Sequence, residues 1–309
     1  MNLIEKDHAI IFSIIILLSY IFIGFLFGFF FFSLFSKNQQ KKRPNEKTTW
    51  DLSKEGMISA FFAQFSSFIV SLIGFNILIK KIDISENFFE MIGFSKINLL
   101  IFIPFLLTVI LFLGPISFKY YDFRIFCEEK SITFSFSNFL LWIKEDPFCY
   151  LPKTKWKLIK NCVFAPLSEE FTFRSFLIVV FFLAKFNLNF CIFYSSLIFS
   201  LAHISFFLQN IFFKKVPIIP SIFELFFQMG YTFLFGIYTS YLFIKTHFLV
   251  PLFLIHSFCN FLGFPPLHRL FKHKNRFQII IYAIFGCSLF AFLLPLLTSS
   301  KLYSNNFFE

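Results

Sequence analysis

At 309 residues, 57% hydrophobic and only 15% charged, with a mean hydropathy of +0.75, the chain is far more apolar than a soluble domain, which sits near ~45–50% apolar and ~25% charged. These proportions exclude a soluble globular protein and predict an all-α, polytopic integral membrane protein. The net charge of +11 does not point to nucleic acid: no RNA-binding motif and no basic–aromatic platform stands outside the apolar runs, and basic loops orient membrane proteins.

Hydropathy places eight spans, at 9–35, 57–79, 97–116, 158–184, 187–213, 221–244, 248–264 and 277–298, each near the ~20 residues that cross a bilayer. Residues 9–35 are too long for a signal-peptide core and lack a small-residue cleavage site, so they read as a span. The polar stretch 36–56 reads as a solvated cytosolic connector, with attraction to anionic lipid as the second reading. Residues 131–143, SITFSFSNFLLWI, are too short and too polar on one side to span and predict an interfacial amphipathic segment. Organisation follows as an N-terminal transmembrane region 1–157, a catalytic core 158–298 and a tail 299–309.

Alternate loops (36–56, 117–157, 214–220, 265–276) hold, with Lys160, 20 Lys and Arg; the opposite loops and both termini hold seven. The bias predicts that the basic loops face the cytosol and both termini the other side. Phe, at 59 residues, reads as codon bias at lipid-facing positions rather than as a ligand signal. Six cysteines (127, 149, 162, 191, 259, 287) show no CxxC pair or metal-ligand spacing.

Against this background the stretch 165–176, APLSEEFTFRSF, stands out because it puts Glu169, Glu170 and Arg174 inside a span. Ionisable groups at such depth cost at least ~2.5–3.5 kcal/mol each and mark a functional site by default. Glu170 and Arg174 are four apart and can neutralise each other on a helix. Glu169 points about 100° away and is left for another task. Pro166, just ahead, cannot donate a backbone hydrogen bond and is expected to break the helix and admit water.

Further polar groups inside spans are His203, in FSLAHISFF, and His256 with Asn260, one turn apart in LIHSFCNFLGFP. Measured from the expected cytosolic ends, Glu169 lies ~16 Å deep, His203 ~15 Å and His256 ~12 Å. Three helices thus bring polar groups to one level, which predicts a shared site. Taken singly, each has a bland use: a His as a hydrogen-bonded packing residue, an Asn as helix glue, the Glu170–Arg174 pair as structure.

A carboxylate beside a His can take a proton from water and deliver it to a leaving amine. A His and an Asn side by side offer N–H donors to a developing oxyanion. Together they suggest amide hydrolysis within the membrane. There is no HExxH, which excludes a zincin helix; Glu169, His203 and His256 could still hold Zn²⁺, so metal dependence stays open. A serine route is disfavoured: Ser168 lacks a GxSxG setting, and neither Ser195 nor Ser200 has one.

EExxxR (Glu169, Glu170, Arg174), FxxxH (Phe199, His203) and HxxxN (His256, Asn260) resemble the three motifs of the CPBP intramembrane proteases. The resemblance is closer to the eukaryotic, Ras-converting CAAX prenyl endopeptidase branch, through APLSEEFTFRS, FSLAHISFF and FQMGYTFLFGIYTSYLFIKTHFLVPLFLIHSFCNFLGFP, and covers roughly 160–266. It implies an enzyme of the endoplasmic reticulum that removes the last three residues of prenylated CAAX proteins such as small GTPases. Its active site would open to the cytosol, with the prenyl chain in the lipid bilayer. By the same resemblance Glu169 activates water, His203 assists proton transfer, His256 and Asn260 stabilise the oxyanion, and Glu170, Arg174 and Phe199 support the site. The alternatives are a non-catalytic membrane scaffold on this fold and a transporter, for which internal repeats and paired broken helices are missing.

Overall fold

A computed structural model of the chain describes residues 4–23, 25–27, 29–30, 54–80, 88–94, 99–145, 158–212, 215–263, 267–303 and 307–308. Most of the 36–56 connector and Cys149 lie outside them. The described residues are helical with no strand, as expected where no water is at hand to satisfy backbone groups. Among the described residues five helices are long and apolar enough to cross a membrane: Lys6–Phe27, Phe61–Ile79, Leu188–Phe212, Ile218–Thr246 and Arg276–Leu297. A bent pair, Leu99–Leu111 with Leu113–Lys130, is a sixth if the two segments form one span. The expected span 248–264 is the 14-residue helix Leu249–Leu262. The expected span 158–184 is filled by consecutive α- and π-helical segments.

The chain divides into two compact units that interleave in sequence, residues 1–95, 164–249 and 305–309 in the first and 96–163 and 250–304 in the second. Apolar side chains such as Phe223, Phe226 and Leu234 in the first unit, and Phe277, Ile281 and Phe292 in the second, are exposed. Polar ones such as Ser195, Ser196, Thr239 and Ser240 are buried. This reverses the soluble pattern and fits a hydrocarbon-facing surface.

In the first unit the tightest helix crossing lies between Leu188–Ala202 and Ile218–Thr246. Gly236 makes it: a Cβ there would stand 2.9 Å from the Ser196 Cβ. The Ser240 hydroxyl lies 3.2 Å from that of Ser195, and Ser200 Oγ donates to the Met229 carbonyl at 2.9 Å. Small residues let the two backbones approach, so van der Waals contact and hydroxyl bonds replace the hydrophobic drive that lipid removes. This crossing sets Phe199 and His203 against the helix that carries Thr239.

The short helix Phe88–Met91 and the turn after it are tied to the same unit. Ser175 Oγ donates to the Ile92 carbonyl, the Leu249 N–H to the Gly93 carbonyl, and His247 Nε2 to the Met91 carbonyl at 3.1 Å. His247 also stacks on Phe307, centroids 4.8 Å apart. Burial pushes its imidazole below the ordinary value, opposed by the Met91 carbonyl and by Glu90.

The second unit departs from expectation at its first span. The helix Phe102–Leu111 ends at a bend of 62°, and Leu113–Lys130 continues through residues that hydropathy reads as loop. Pro115, without an N–H, falls in the first turn of the new helix, where none is needed. Both segments pack on Arg276–Leu297, and a Cβ on Gly114 would meet Ala283 Cβ at 2.6 Å. The polar half stays helical because it is amphipathic: Phe123 and Cys127 are buried against Trp142. Trp142 belongs to helix Phe136–Glu145, the expected amphipathic segment, which leaves Phe136 76% exposed.

Two outcomes follow for stability. Gly236→Val overpacks the Ser196 contact and should cost about 1–3 kcal/mol, read as a lower midpoint of thermal unfolding in a fixed detergent. His247 is favoured neutral in the folded state, so the unfolded state takes up its proton first as pH falls. The midpoint should therefore drop as pH is lowered through the unfolded value of about 6.5, and His247→Gln should flatten that part of the pH dependence.

Candidate intramembrane active site

The two adjacent glutamates have different surroundings. Glu170 and Arg174 are both fully buried, with Arg174 Nε 3.2 Å from Glu170 Oε2. The guanidinium is fixed from two other sides. Its Nε and Nη2 donate to Thr239 Oγ1 at 3.0 and 2.8 Å, and its Cζ lies 4.3 Å from the Phe199 ring centroid. Thr239 Oγ1 passes its own hydrogen to the Phe235 carbonyl at 3.0 Å. The guanidinium thus meets an opposite charge, a hydroxyl and a π-face, while its Nη1 is buried without a hydrogen-bond partner in the protein.

Glu169, one residue earlier, is only half-buried. Its Oε1 accepts from Gln64 Nε2 of helix Lys54–Ile79 at 3.1 Å. The rotation expected between neighbouring helical residues therefore separates an inward, neutralised carboxylate from one that is only half-buried. Tyr20 secures the same segment, its OH 3.3 Å from both the Ser168 carbonyl and Thr172 Oγ1 and its ring against Phe173.

Phe199 links this segment to His203. Its ring covers Arg174, and its carbonyl accepts from His203 Nδ1 at 2.9 Å. A carbonyl can only accept, so Nδ1 carries the hydrogen and the neutral ring presents Nε2 as its basic nitrogen. His203 sits at the one-residue turn between the helical segments Leu188–Ala202 and Ile204–Phe212, within the span Leu188–Phe212. Within the first unit Glu170, Arg174, Phe199 and His203 thus form one chain of contacts.

Pro166 does not break the helix. The helix Ala165–Glu170 carries it in its first turn, and the stretches before and after, Lys160–Phe164 and Phe171–Phe176, are π-helical. In the second unit Ser257 Oγ donates to the Cys162 carbonyl at 2.6 Å and Asn260 Nδ2 to the Asn161 carbonyl at 2.8 Å. His256 is buried one turn from Asn260 on the same helix. The amide of Asn260 is thereby oriented while its second Nδ2 hydrogen stays available for donation.

The serines considered from sequence are committed to structure: Ser168 Oγ donates to Ala165, Ser195 Oγ to Ile192 and Ser200 Oγ to Met229. Among the described residues no group of three His, Cys, Asp or Glu side chains is arranged to hold a metal ion.

Sequence reasoning missed Gln64, Tyr20 and Thr239. Gln64 was visible as a lone amide in FFAQFSSF, and Thr239 as part of the small-residue face Thr232, Gly236, Thr239, Ser240. Tyr20 carried no signal beyond the apolar run around it.

The fold and these side chains define an all-helical, multi-pass membrane protein with a buried Glu170–Arg174 pair inside its helices. Residues 152–262 match the family model described as type II CAAX prenyl endopeptidase Rce1-like. This stretch contains every residue of the three sequence motifs. The chain is 32% identical over 212 residues to human "CAAX prenyl protease 2", covering 66% of this chain and 59% of the relative. It is 32% identical over 173 residues to the Arabidopsis thaliana protein of that name, covering 53% and 54%. It is 35% identical over 120 residues to "Probable CAAX prenyl protease 2" of Schizosaccharomyces pombe, covering 39% and 44%. The chain thus spans about three fifths or less of the length of these relatives. No solved structure matches it. Over residues 152–262 the chain is similar to the type II CAAX prenyl endopeptidase family.

Removing one partner of the buried pair should be more damaging than removing both. Arg174→Met leaves Glu170 uncompensated and should cost about 3–5 kcal/mol. Glu170→Gln combined with Arg174→Met should recover part of that loss in a double-mutant cycle on unfolding in detergent.

Proposed function

We propose that this chain is an intramembrane endopeptidase that removes the C-terminal tripeptide from prenylated CAAX proteins, small GTPases among them. The observation that carries the reading is the division of labour between Glu170, sealed against Arg174, and Glu169, half-buried and oriented by Gln64. Similarity to the family supplies the substrate class.

In this reading Glu169 takes a proton from water, and the resulting hydroxide attacks the carbonyl of the prenylated cysteine. His256 and the second Nδ2 hydrogen of Asn260 stabilise the oxyanion. The C–N bond to the next residue breaks, and the proton reaches the leaving amine with help from His203 Nε2. Glu170, Arg174 and Phe199 hold the frame. The protein acts in the endoplasmic reticulum membrane with its site open to the cytosol, an orientation the loop charges support. The prenyl chain stays in lipid, where each buried CH₂ adds roughly 0.8 kcal/mol of membrane affinity.

The test is release of the tripeptide from a farnesylated CAAX peptide by purified protein in lipid. Glu169→Ala should lower turnover by about 10²–10⁴-fold with unfolding unchanged. Wild-type turnover should survive a strong zinc chelator. Equal cleavage by Glu169→Ala would refute the mechanism, and loss of activity to chelator, restored by zinc, would replace its water-activation step.

A further inference from the structure

We infer that Gln64 is a positioning residue for this reaction, holding the carboxylate of Glu169 in the orientation that meets the attacking water. The inference rests on the proposed role of Glu169 and adds a residue from outside the three motifs and outside the matched region 152–262.

Gln64 lies on helix Lys54–Ile79, 105 residues from Glu169 in sequence, and its Nε2 stands 3.1 Å from Glu169 Oε1. A carboxylate is acceptor-only, so the amide must turn its N–H₂ towards it. An amide within an apolar span costs free energy unless it is bound, and this one spends its donor on the carboxylate rather than on a neighbouring helix carbonyl. Gln64 Oε1 is itself buried with no hydrogen-bond partner in the protein, an acceptor beside the carboxylate that suits a proton-bearing ligand such as water.

The backbone that carries Gln64 is anchored independently. Ser67 Oγ donates to the Ser19 carbonyl at 3.1 Å, and Phe61 packs edge-on against Phe164, centroids 4.7 Å apart. Phe68 and Phe75 lie on Phe176, centroids 6.1 and 4.6 Å apart. Gln64 is therefore free to serve the carboxylate without being needed to hold its helix in place.

The experiment compares wild type, Gln64→Leu, Gln64→Met, Gln64→Glu and Glu169→Ala as full-length protein in lipid, with a farnesylated CAAX peptide. Gln64→Leu should lower kcat by about 10- to 100-fold, the scale of a misplaced catalytic group, with KM within about twofold and an unchanged unfolding midpoint. Gln64→Glu distinguishes donation from packing. While the new carboxyl is ionised it cannot donate to Glu169; once protonated it can. Its activity relative to Gln64→Leu should therefore rise as pH is lowered.

Wild-type kcat in folded Gln64→Leu overturns the inference. So does a Glu-to-Leu activity ratio that stays flat with pH, which would mark a packing role. If Gln64→Leu lowers the unfolding midpoint, Gln64→Met carries the same comparison, and loss of folded protein in both also overturns it. If Glu169→Ala cleaves like wild type, the parent reading falls and takes this one with it. If Glu169→Ala is inactive while Gln64→Leu is fully active, only the role of Gln64 falls.

Discussion

The structure depends on the buried pair of Glu170 and Arg174. Two charges in apolar surroundings are tolerated only when each is met, and Coulomb attraction alone seldom repays the desolvation. Here the remaining demand falls on Thr239, which takes two guanidinium N–H groups, and on the Phe199 face. Thr239 can do this only because its helix is drawn close to Leu188–Ala202 at Gly236, and Phe199 only because that helix presents it one turn before His203. The small-residue crossing and the charged motif are therefore one constraint. Phe199 meets the arginine with its ring and accepts from His203 Nδ1 with its carbonyl.

A second constraint lies within the second unit, where Ser257 and Asn260 donate to the carbonyls of Cys162 and Asn161 and so hold the HxxxN helix against that segment. The turns on either side of Ala165–Glu170 are π-helical, and such turns recur at functional sites.

The sequence was most legible where polarity contrasts with surroundings. Glu169, Glu170, Arg174, His203, His256 and Asn260 stand out from apolar runs, and their helical spacing already separates the two carboxylates. It was least legible where the relevant residue is chemically ordinary. Thr239 is one of several small polar residues on its helix, and Tyr20 is lost in an apolar run. Gln64 lies 105 residues from the carboxylate it touches. Leu113–Lys130 was misjudged for a related reason: hydropathy averages over a window, whereas burial of Phe123 and Cys127 against Trp142 depends on which face of the helix carries them.

By itself the sequence determined the helical, membrane-embedded class, because an apolar chain in lipid must satisfy its backbone within each segment. It also determined the roster of ionisable groups and their one-turn spacings, because these follow from residue identity and helix rise. Only the tertiary structure decided that Gln64 holds Glu169, that Thr239 takes the Arg174 guanidinium, and that Asn260 and Ser257 take the carbonyls of Asn161 and Cys162. Each of these is settled by a partner distant in sequence, at hydrogen-bond distances that no spacing along one helix encodes.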